Sequence, residues 1–287
     1  MARPLTTRLT DWLAYVAVRV GICVVQSLPR STCERLARSL SNLLANRLRI
    51  RRRVVRDNLR TAFPEWSPNE CRETACRMWE HFLLMIVEIA HAPRVIRKTT
   101  WRKHLRIDGI EEIVRTMWLD RPKVVLSGHF GNFELAAYLF GVFGLKMFSV
   151  ARELDNPLLD RFVNEFRESR GQEILPKKGS APDVAIAMER NGAIGLLGDQ
   201  AAGPRGCWVD FFGRPASVHK AIGVFALSAS APVMVCTATR RDGLFDYDLR
   251  LEGIADPADD TPETAGLTPL SQWYTSLLEQ AVRRAPS

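Results

Sequence analysis

Hydrophobic positions change their spacing near residue 105, and this change divides the chain of 287 residues into two parts. Before it, apolar residues recur at helical intervals, which predicts helices over residues 11–28, 31–61 and 67–92. After it, short apolar runs predict strands at residues 105–109, 123–128, 146–151, 173–176, 193–198, 232–239 and 246–252. The segments between these runs predict helices at residues 110–119, 132–143, 156–170, 181–191, 217–230 and 268–284.

Strands that alternate with helices indicate an α/β fold, in which a mostly parallel central sheet is flanked by helices. We therefore predict that residues 105–287 form an α/β core. Residues 31–104 are predicted to be a helical, basic region that forms one continuous domain with this core. Residues 1–30 are predicted to hold an N-terminal apolar helix that anchors the chain to a membrane.

Three helix starts carry N-cap signals. Ser67 with Glu70 and Ser180 with Asp183 both have the spacing of a capping box. Asn132 precedes a third apolar run and is predicted to cap that helix with its side chain.

The N-terminal segment from Asp11 to Leu28 is mostly apolar and is interrupted by Arg19. It is short for a helix that crosses a bilayer, which needs about 20 apolar residues. We expect it to lie in, or marginally cross, the inner leaflet of the membrane, and packing on the protein's own core is the alternative. The segment has no convincing small-residue cleavage site, so we do not expect a cleaved signal peptide.

Basic residues dominate the charge balance, with 40 lysines and arginines against 32 acidic residues. Residues 30–60 contain ten arginines and two acidic residues, and residues 94–106 contain six basic residues and no acidic one. Such density favours an anionic partner: phospholipid headgroups, a phosphorylated glycolipid, an acidic carrier protein or nucleic acid. Nucleic acid is the weakest of these candidates, because aromatic residues are not interleaved with the basic ones and no known binding motif appears.

Several common chemistries have little support in the sequence. The six cysteines form no CxxC pair and no zinc-binding spacing, which favours reduced thiols in a cytosolic setting. There is no phosphate-binding loop, dinucleotide fingerprint or G-x-S-x-G nucleophile elbow. Glu88 and His91 form an E-x-x-H step, but a metal site in a helical bundle needs two such steps, so we interpret the pair as a polar patch on an amphipathic helix.

The strongest candidate for chemistry is the stretch from Val124 to Glu134, which contains His129. Its apolar start predicts a buried strand, and Gly128 and Gly131 then bracket the histidine in a turn before a helix. Residues five apart point about 140° away from each other within one helix. His129 and Glu134 can therefore meet only if the histidine precedes the helix.

A neutral imidazole with a carboxylate behind it is suited to activating a hydroxyl group. We predict that Glu134 fixes the tautomer of His129 and stabilises the imidazolium that forms. Backbone N–H groups at the helix start would hold a developing oxyanion. The alternative is a histidine and a glutamate that merely cap a buried turn, because the H-x4-E spacing is short and arises by chance.

Further candidates follow other strands and so belong to the same edge of the predicted sheet. His129 follows the second strand, Arg152 the third and Asp199 the fifth, and ligands of parallel sheets gather at the carboxyl ends of strands. Arg152 is placed to clamp a phosphate, with a salt bridge to Glu153 or Asp155 as the alternative.

Two more pairs of residues, and Asp199, have both a functional and a structural interpretation. Arg167 and Arg170 lie three residues apart, and thus on one face of the next helix, where they form either a solvated face or the far wall of an anion site. Asp199 is either a site residue or a helix cap. Phe211 and Phe212 either line a groove for an acyl chain or belong to the core.

Several of these segments together resemble a known family. Residues 127–134 resemble the H-x4-D/E block of glycerolipid-type acyltransferases. Other segments are similar to the bacterial lipid A late acyltransferases, the lauroyl/myristoyl group, and these are residues 58–59, 63–65, 152–158, 198–200 and 211–216. The resemblance covers roughly residues 10–280.

The resemblance implies an inner-membrane enzyme whose active site faces the cytoplasm. It implies transfer of a fatty acyl chain from acyl carrier protein to a hydroxyl of a lipid A precursor of the Kdo-lipid A type, without a metal or nucleotide cofactor. The catalytic pair of the family maps onto His129 and Glu134. Its substrate-binding residues map onto Arg152, Arg167, with Arg170 close by, and Asp199.

We therefore expect direct transfer through a ternary complex, in which His129, oriented by Glu134, deprotonates the acceptor hydroxyl as it attacks the donor thioester. Asp199 would position one of the arginines that hold the acceptor phosphate. Two other functions stay open: an acyl-CoA-dependent lysophospholipid or glycolipid acyltransferase, and a non-catalytic membrane protein that binds anionic lipid. Family members usually carry an aromatic and basic tail after the last helix, whereas this chain ends at Ser287. Either the chain is truncated or this branch of the family differs, and a weaker lipid contact would follow.

Overall fold

The computed structural model describes residues 4–177 and 179–287. The helices of this part of the chain are α1 (Leu5–Ser27), α2 (Arg30–Asn42), α3 (Arg52–Ala62), α4 (Pro68–Val95), α5 (Ile110–Met117), α6 (Phe133–Val142), α7 (Pro157–Glu168), α8 (Ala181–Glu189), α9 (Lys220–Ser228) and α10 (Leu267–Arg284). The strands are β1 (Leu105–Asp108), β2 (Lys123–Ser127), β3 (Met147–Ala151), β4 (Gln172–Pro176), β5 (Ala193–Leu197), β6 (Cys207–Phe211), β7 (Arg214–Val218), β8 (Val233–Arg240) and β9 (Tyr247–Ala255).

Seven strands form the central sheet in the order β1-β9-β8-β2-β5-β3-β4. Strands β8 and β9 pair antiparallel, and the other neighbouring strands of this sheet pair parallel. The predicted α/β fold with a mostly parallel central sheet is therefore confirmed. All seven predicted strands and the six predicted helices after residue 105 are present, with ends that differ by a few residues.

The core lies on both faces of the sheet. Successive side chains of a strand point to opposite faces, and Val125 belongs to one hydrophobic cluster while its neighbours Val124 and Leu126 belong to the other. Helices α4, α5 and α6 contribute buried residues to the first cluster, and α8, α9 and α10 contribute to the second. Such two-sided burial explains why β2 is apolar almost throughout.

A separate antiparallel hairpin of β6 and β7 was not predicted from the sequence. Its two-residue loop is Phe212-Gly213, with φ of 55° and 69°, and both residues of a type I′ turn require a positive φ. Strand β6 is buried only at alternate positions, and the one buried residue of β7 is Val218. A short and partly polar strand pair of this kind has a weak hydrophobic signal. The helix predicted over residues 217–230 begins only at Lys220, because Ser217 and Val218 belong to β7.

The basic region also departs from the prediction of one helix over residues 31–61. Helix α2 passes into a π-helix at Leu43–Arg47, and a turn separates it from α3. Arg49 and Arg51 in this turn have positive φ values of 54° and 50°. Arginines at i and i+4 repel each other on a helix surface, and a continuous helix would place Arg49 next to Arg53 in this way.

Helix α1 is longer than predicted and carries exposed apolar side chains along most of its length. It is long and apolar enough to cross a membrane by length and composition. One stripe of the helix contacts the rest of the protein, since Gln26 donates a hydrogen bond to the Ala90 carbonyl at 2.6 Å and Asn156 donates one to the Asp11 carbonyl at 2.9 Å.

Two of the three predicted helix caps are present. Ser67 and Glu70 form a capping box, and the Asn132 side chain accepts a hydrogen bond from the Leu135 N–H at 2.9 Å. Ser180 was predicted wrongly, because it has helical dihedral angles (φ −79°, ψ −1°) and its side chain makes no cap hydrogen bond. A capping residue normally has an extended backbone, which turns its side-chain oxygen towards the first free N–H groups.

Candidate active site

The candidate site is built on the pairing of strands β2 and β5. These strands run parallel with Ser127 opposite Leu197, and Gly198 donates a backbone hydrogen bond to the Ser127 carbonyl at 2.8 Å. Two residues further along each strand, the register places His129 beside Asp199. The prediction that both residues lie at the carboxyl edge of the sheet is confirmed.

The Asp199 carboxylate holds His129 through two hydrogen bonds. Oδ1 lies 2.8 Å from Nδ1 of the imidazole, and Oδ2 accepts the backbone N–H of His129 at 2.7 Å. The two side chains are 37% and 24% exposed, so the pair opens to solvent. The hydrogen bond to Asp199 raises the pKa of His129, with burial opposing this effect and the charges of Asp199 and Glu134 adding to it.

Backbone geometry fixes the loop that carries the histidine. Gly131 has a φ of +58°, and a Cβ at this position would lie 1.8 Å from the Ala238 carbonyl oxygen, so only glycine fits. The next residue, Asn132, donates its backbone N–H to that same carbonyl at 3.2 Å. On the other side of His129, Gly128 leaves room for the Asp199 carboxylate, which a Cβ would meet at 3.2 Å.

A buried ionic network lies beneath this loop. Glu88 on α4 is fully buried and pairs with Arg240, whose side chain is 9% exposed. The Glu88 carboxylate also accepts hydrogen bonds from the Asn132 side chain at 3.0 Å, from the Phe245 N–H at 2.9 Å and from the Tyr247 hydroxyl. Asn132 therefore connects the helix start behind His129 to a charge pair in the core.

The interpretation of Glu88 and His91 as a polar patch on an amphipathic helix is wrong, because both residues are buried. His91 turns its Nδ1 towards the Val87 carbonyl at 2.9 Å, within its own helix. No local sequence pattern indicated a partner for Glu88, because Arg240 lies 152 residues further along the chain.

The expected contact between His129 and Glu134 is absent from the hydrogen bonds of the described residues. Glu134 in the first turn of α6 instead pairs with Arg167 on α7, through Nε at 3.0 Å and through Nη2. The guanidinium matches both carboxylate oxygens, which makes this a strong pairing, and the two side chains are only 16% and 22% exposed. Asp199, the carboxylate at the end of the neighbouring strand, takes the position behind the imidazole.

Asp199 was expected to position an arginine, and this is corrected, since it binds His129. Arg152 is 78% exposed and lies 3.5 Å from Asp155, at the limit of a hydrogen bond. Arg170 donates to the Tyr138 hydroxyl at 2.9 Å and stacks on the same ring. Arg167 binds Glu134 and makes no hydrogen bond to the histidine among those of the described residues.

Two polar residues that the sequence analysis did not assign complete the surroundings of the imidazole. The Gln200 side-chain nitrogen lies 3.3 Å from Nε2 of His129, and the Lys177 ammonium lies 3.2 Å from the Gln200 side-chain oxygen. Lys177 directly follows β4, and its N–H donates to the Ala151 carbonyl at 2.7 Å. Its place after a parallel strand is the signal by which it could have been found.

An apolar cavity of about 450 Å³ opens beside Asp199 and Gln200. The β6–β7 hairpin and α10 form its walls, and its lining includes Trp208, Phe211, Ala216, Val218 and Leu278. Phe211 therefore lines this cavity. Phe212 packs instead on Phe63, with ring centroids 5.8 Å apart.

Comparisons with known proteins identify the family of this chain. The chain matches the family model of the bacterial lipid A biosynthesis acyltransferases over residues 3–287. It is 22% identical over 250 residues to the lipid A biosynthesis palmitoleoyltransferase of Escherichia coli (strain K12), which covers 83% of this chain and 76% of the relative. A lipid A biosynthesis acyltransferase of Shigella flexneri matches with the same identity of 22% and the same coverage.

Among solved structures, the chain aligns with the 1-acyl-sn-glycerophosphate (LPA) acyltransferase PlsC from Thermotoga maritima at a TM-score of 0.42 and 12% identity, over 90% of this chain and 98% of the other. The family match extends over nearly the whole chain and agrees with the resemblance of the histidine loop and its neighbouring segments. The protein is therefore an acyltransferase that belongs to the bacterial lipid A biosynthesis acyltransferase family.

Proposed function

We propose that this enzyme transfers a fatty acyl chain from acyl carrier protein to a hydroxyl of a lipid A precursor of the Kdo-lipid A type, at the cytoplasmic face of the inner membrane. The observation that carries the proposal is the pairing of His129 with Asp199 at the edge of an apolar cavity. A general base beside a pocket for a hydrocarbon chain is what acyl transfer to a hydroxyl needs.

In the first step, Nε2 of His129 takes the proton of the acceptor hydroxyl while the hydroxyl oxygen attacks the thioester carbonyl. Asp199 accepts the Nδ1 proton in a hydrogen bond, which leaves the lone pair on Nε2 and stabilises the imidazolium that forms. Backbone N–H groups at the start of α6 would stabilise the oxyanion, because a helix N-terminus carries a partial positive charge.

In the second step, the tetrahedral intermediate collapses. The carbon–sulfur bond breaks, the new ester bond to the acceptor oxygen remains, and the imidazolium of His129 returns its proton to the leaving thiolate. Both steps use only the protein's own groups, and the imidazole is regenerated in its neutral form.

The cavity is the proposed site of the acyl chain. Its volume of about 450 Å³ lies within the range of about 300–1,000 Å³ that is typical of small-molecule sites. Burying a hydrocarbon chain among Trp208, Phe211 and Leu278 is favourable by about 0.8 kcal/mol per methylene. The carboxyl end of the chain would then lie near Asp199, at the same edge as the catalytic nitrogen.

Arginines are proposed to hold the phosphate groups of the acceptor. Arg152 is mostly exposed next to the carboxyl end of β3, and its guanidinium suits bidentate phosphate binding. Arg167, held by Glu134, and Arg170, held by Tyr138, lie on or directly after α7 and add positive charge to this side of the site.

Membrane attachment is proposed for α1. Its exposed residues Leu9, Trp12 and Leu13 are more than half accessible, at 57%, 52% and 52%. The helix contacts α4 and α7, so a lipid surface that receives α1 would also lie near the acceptor side of the site.

The experiment is an assay of the purified full chain with a phosphorylated lipid A precursor and either acyl carrier protein or coenzyme A as the acyl carrier. We expect product with the carrier protein donor, loss of product in His129→Ala, and little product from a lysophospholipid acceptor. A preference for acyl-CoA with a lysophospholipid would favour the alternative acyltransferase. Lipid binding that survives His129→Ala, with no thioester consumed by the unaltered chain, would favour a non-catalytic lipid-binding protein.

A further inference from the structure

Four side chains, joined by three hydrogen bonds, lead from a cation to the carboxylate that holds His129. The Lys177 ammonium donates to Oε1 of Gln200 at 3.2 Å, and Nε2 of Gln200 lies 3.3 Å from Nε2 of His129. Nδ1 of His129 in turn lies 2.8 Å from Asp199. His129 follows β2, Lys177 follows β4, and both Asp199 and Gln200 follow β5. The parallel sheet therefore brings these residues together at its carboxyl edge.

The chemistry of the groups fixes the direction of every hydrogen bond. A lysine ammonium is only a donor, so Gln200 must turn its oxygen to Lys177 and its NH₂ group to His129. The imidazole nitrogen that faces this NH₂ group must then be an acceptor, and the proton of the neutral ring must lie on Nδ1, where Asp199 accepts it. Lys177 and Asp199 therefore favour the same tautomer from opposite sides of the ring.

We propose that Lys177 and Gln200 are positioning residues that hold His129 neutral, with its lone pair on Nε2, until the acceptor hydroxyl takes the place of the Gln200 amide. The inference rests on the proposed function, in which Nε2 is the base. It gives Gln200 a part in the reaction cycle, because one lone pair accepts one hydrogen bond at a time, and the amide must leave before the hydroxyl can bind.

The negative charges around the imidazole explain why a contact that keeps it neutral is needed in addition to Asp199. Asp199 and Glu134 are negative and favour the imidazolium, whereas Lys177 is positive and opposes it. An imidazolium has no lone pair and cannot act as a base. Lys177 also acts on the partly buried His219 at the start of α9, whose pKa is lowered by burial and by this same ammonium.

The first experiment measures kcat/KM against pH for the full chain and for Lys177→Met. Removing the ammonium leaves the two carboxylates unopposed, so we expect the acid limb of the profile to move to higher pH, with activity recovered under alkaline conditions. Lys146→Met is the matched control, since Lys146 is exposed just before β3, at the opposite edge of the sheet, and its profile should not move. An acid limb that stays in place or moves to lower pH in Lys177→Met would overturn the inference.

The second experiment observes the ring directly, by ¹⁵N NMR of the protein labelled at its five histidines, with the His129 signal assigned from His129→Ala. We expect the Nδ1–H tautomer in the unaltered chain. Gln200→Glu replaces the donor by an acceptor of the same shape, and we expect a doubly protonated ring at a pH where the unaltered ring is neutral. An Nε2–H tautomer in the unaltered chain, or a ring unaffected by Gln200→Glu, would contradict the proposal.

These outcomes separate the inference from the proposed function. If the unaltered chain transfers no acyl group, the proposed function fails, while the NMR signal still reports the tautomer. If transfer is normal and both variants leave the pH profile and the ring unchanged, the inference alone fails. The conservative variant Lys177→Arg should restore the profile of the unaltered chain, because it keeps the positive charge and a donor for the Gln200 oxygen.

Discussion

The Nδ1 atom of His129 lies 2.8 Å from Oδ1 of Asp199, although 70 residues separate the two in the sequence. The parallel register of β2 and β5 brings them to the same level at the carboxyl edge of the sheet. Glu134, five residues from the histidine, is occupied by Arg167. The carboxylate that orients the imidazole is thus supplied by the strand next to it and not by the helix that follows it.

Replacing Asp199 by asparagine should reduce kcat by about 10²- to 10⁴-fold, as expected when general base catalysis is lost. The amide has the same shape, but its NH₂ group favours the wrong tautomer of His129. The measurement is acyl transfer by the purified enzyme at saturating substrate. Asp183→Asn, on the exposed side of α8, is the control and should leave kcat unchanged. Normal turnover in Asp199→Asn would refute the role of Asp199.

Replacing Glu134 by glutamine should shift the pH dependence of kcat/KM in the direction opposite to that expected for Lys177→Met. The charge of Glu134 helps to raise the pKa of His129, so its removal lowers that pKa and keeps the base neutral to a lower pH. We therefore expect the acid limb of the kcat/KM profile to move to lower pH. Glu168→Gln, exposed at the end of α7, should leave the limb in place. A shift to higher pH in Glu134→Gln would contradict this electrostatic account.

The sequence was sufficient to predict the central sheet and the edge of the sheet on which the site lies, because the alternation of apolar runs and amphipathic helices is strong after residue 105. It was not sufficient for the partner of His129. The order of β2 and β5 in the sheet decides that contact, and the strand order is a long-range property that no local pattern encodes. The same limit applied to Glu88, whose partner Arg240 comes from β8.

Local rules also failed where a competing contact was stronger. The H-x4-E spacing suggested Glu134 as the partner of His129, but Arg167 offers two charge-assisted hydrogen bonds to that carboxylate. The capping box at Ser180 satisfied the sequence rule and was not formed, because the backbone of Ser180 is already helical. Spacing defines which contacts are possible, and the surrounding structure selects among them.

Gly131→Ala should destabilise the protein far more than a typical glycine substitution. A Cβ would lie 1.8 Å from the Ala238 carbonyl, so the loop or β8 must move, and the φ of +58° adds strain. Gly144→Ala is the control, because φ is +83° but a Cβ there would meet no atom of the described residues within 4 Å, which leaves a cost of about 1–2 kcal/mol. We expect a larger fall of Tm in Gly131→Ala than in Gly144→Ala, and equal falls would show that the close approach is unimportant.

Glu88→Gln tests the ionic network beneath the histidine loop. Removing one partner of a buried ion pair costs about 3–5 kcal/mol, because Arg240 would keep a charge that is only 9% exposed. The control is Glu165→Gln, which breaks a pair with Arg161 whose side chains are 58% and 82% exposed, at a cost below about 1 kcal/mol. Denaturant unfolding should separate the two variants clearly, and similar stabilities would mean that the network contributes little.

Narrowing the cavity should shorten the preferred acyl chain. Ala216 lines the cavity on β7, and Ala216→Leu fills part of its volume of about 450 Å³. Each methylene of the donor that the narrowed cavity can no longer bury costs about 0.8 kcal/mol, which is roughly a fourfold loss of kcat/KM for the longer donor. Competition between donors of different chain length measures the change. Ala185→Leu, exposed on α8, should leave the preference unaltered, and an unchanged preference in Ala216→Leu would place the acyl chain elsewhere.

The most direct test of the proposed acyl transfer by His129 is mass spectrometry of lipid A from cells that lack the gene and are complemented with either the unaltered chain or His129→Ala at equal expression. We predict that the unaltered chain restores a lipid A species heavier by one acyl group and that His129→Ala does not. Restoration of the same species by His129→Ala, or an identical lipid A profile with and without the unaltered chain, would contradict the account.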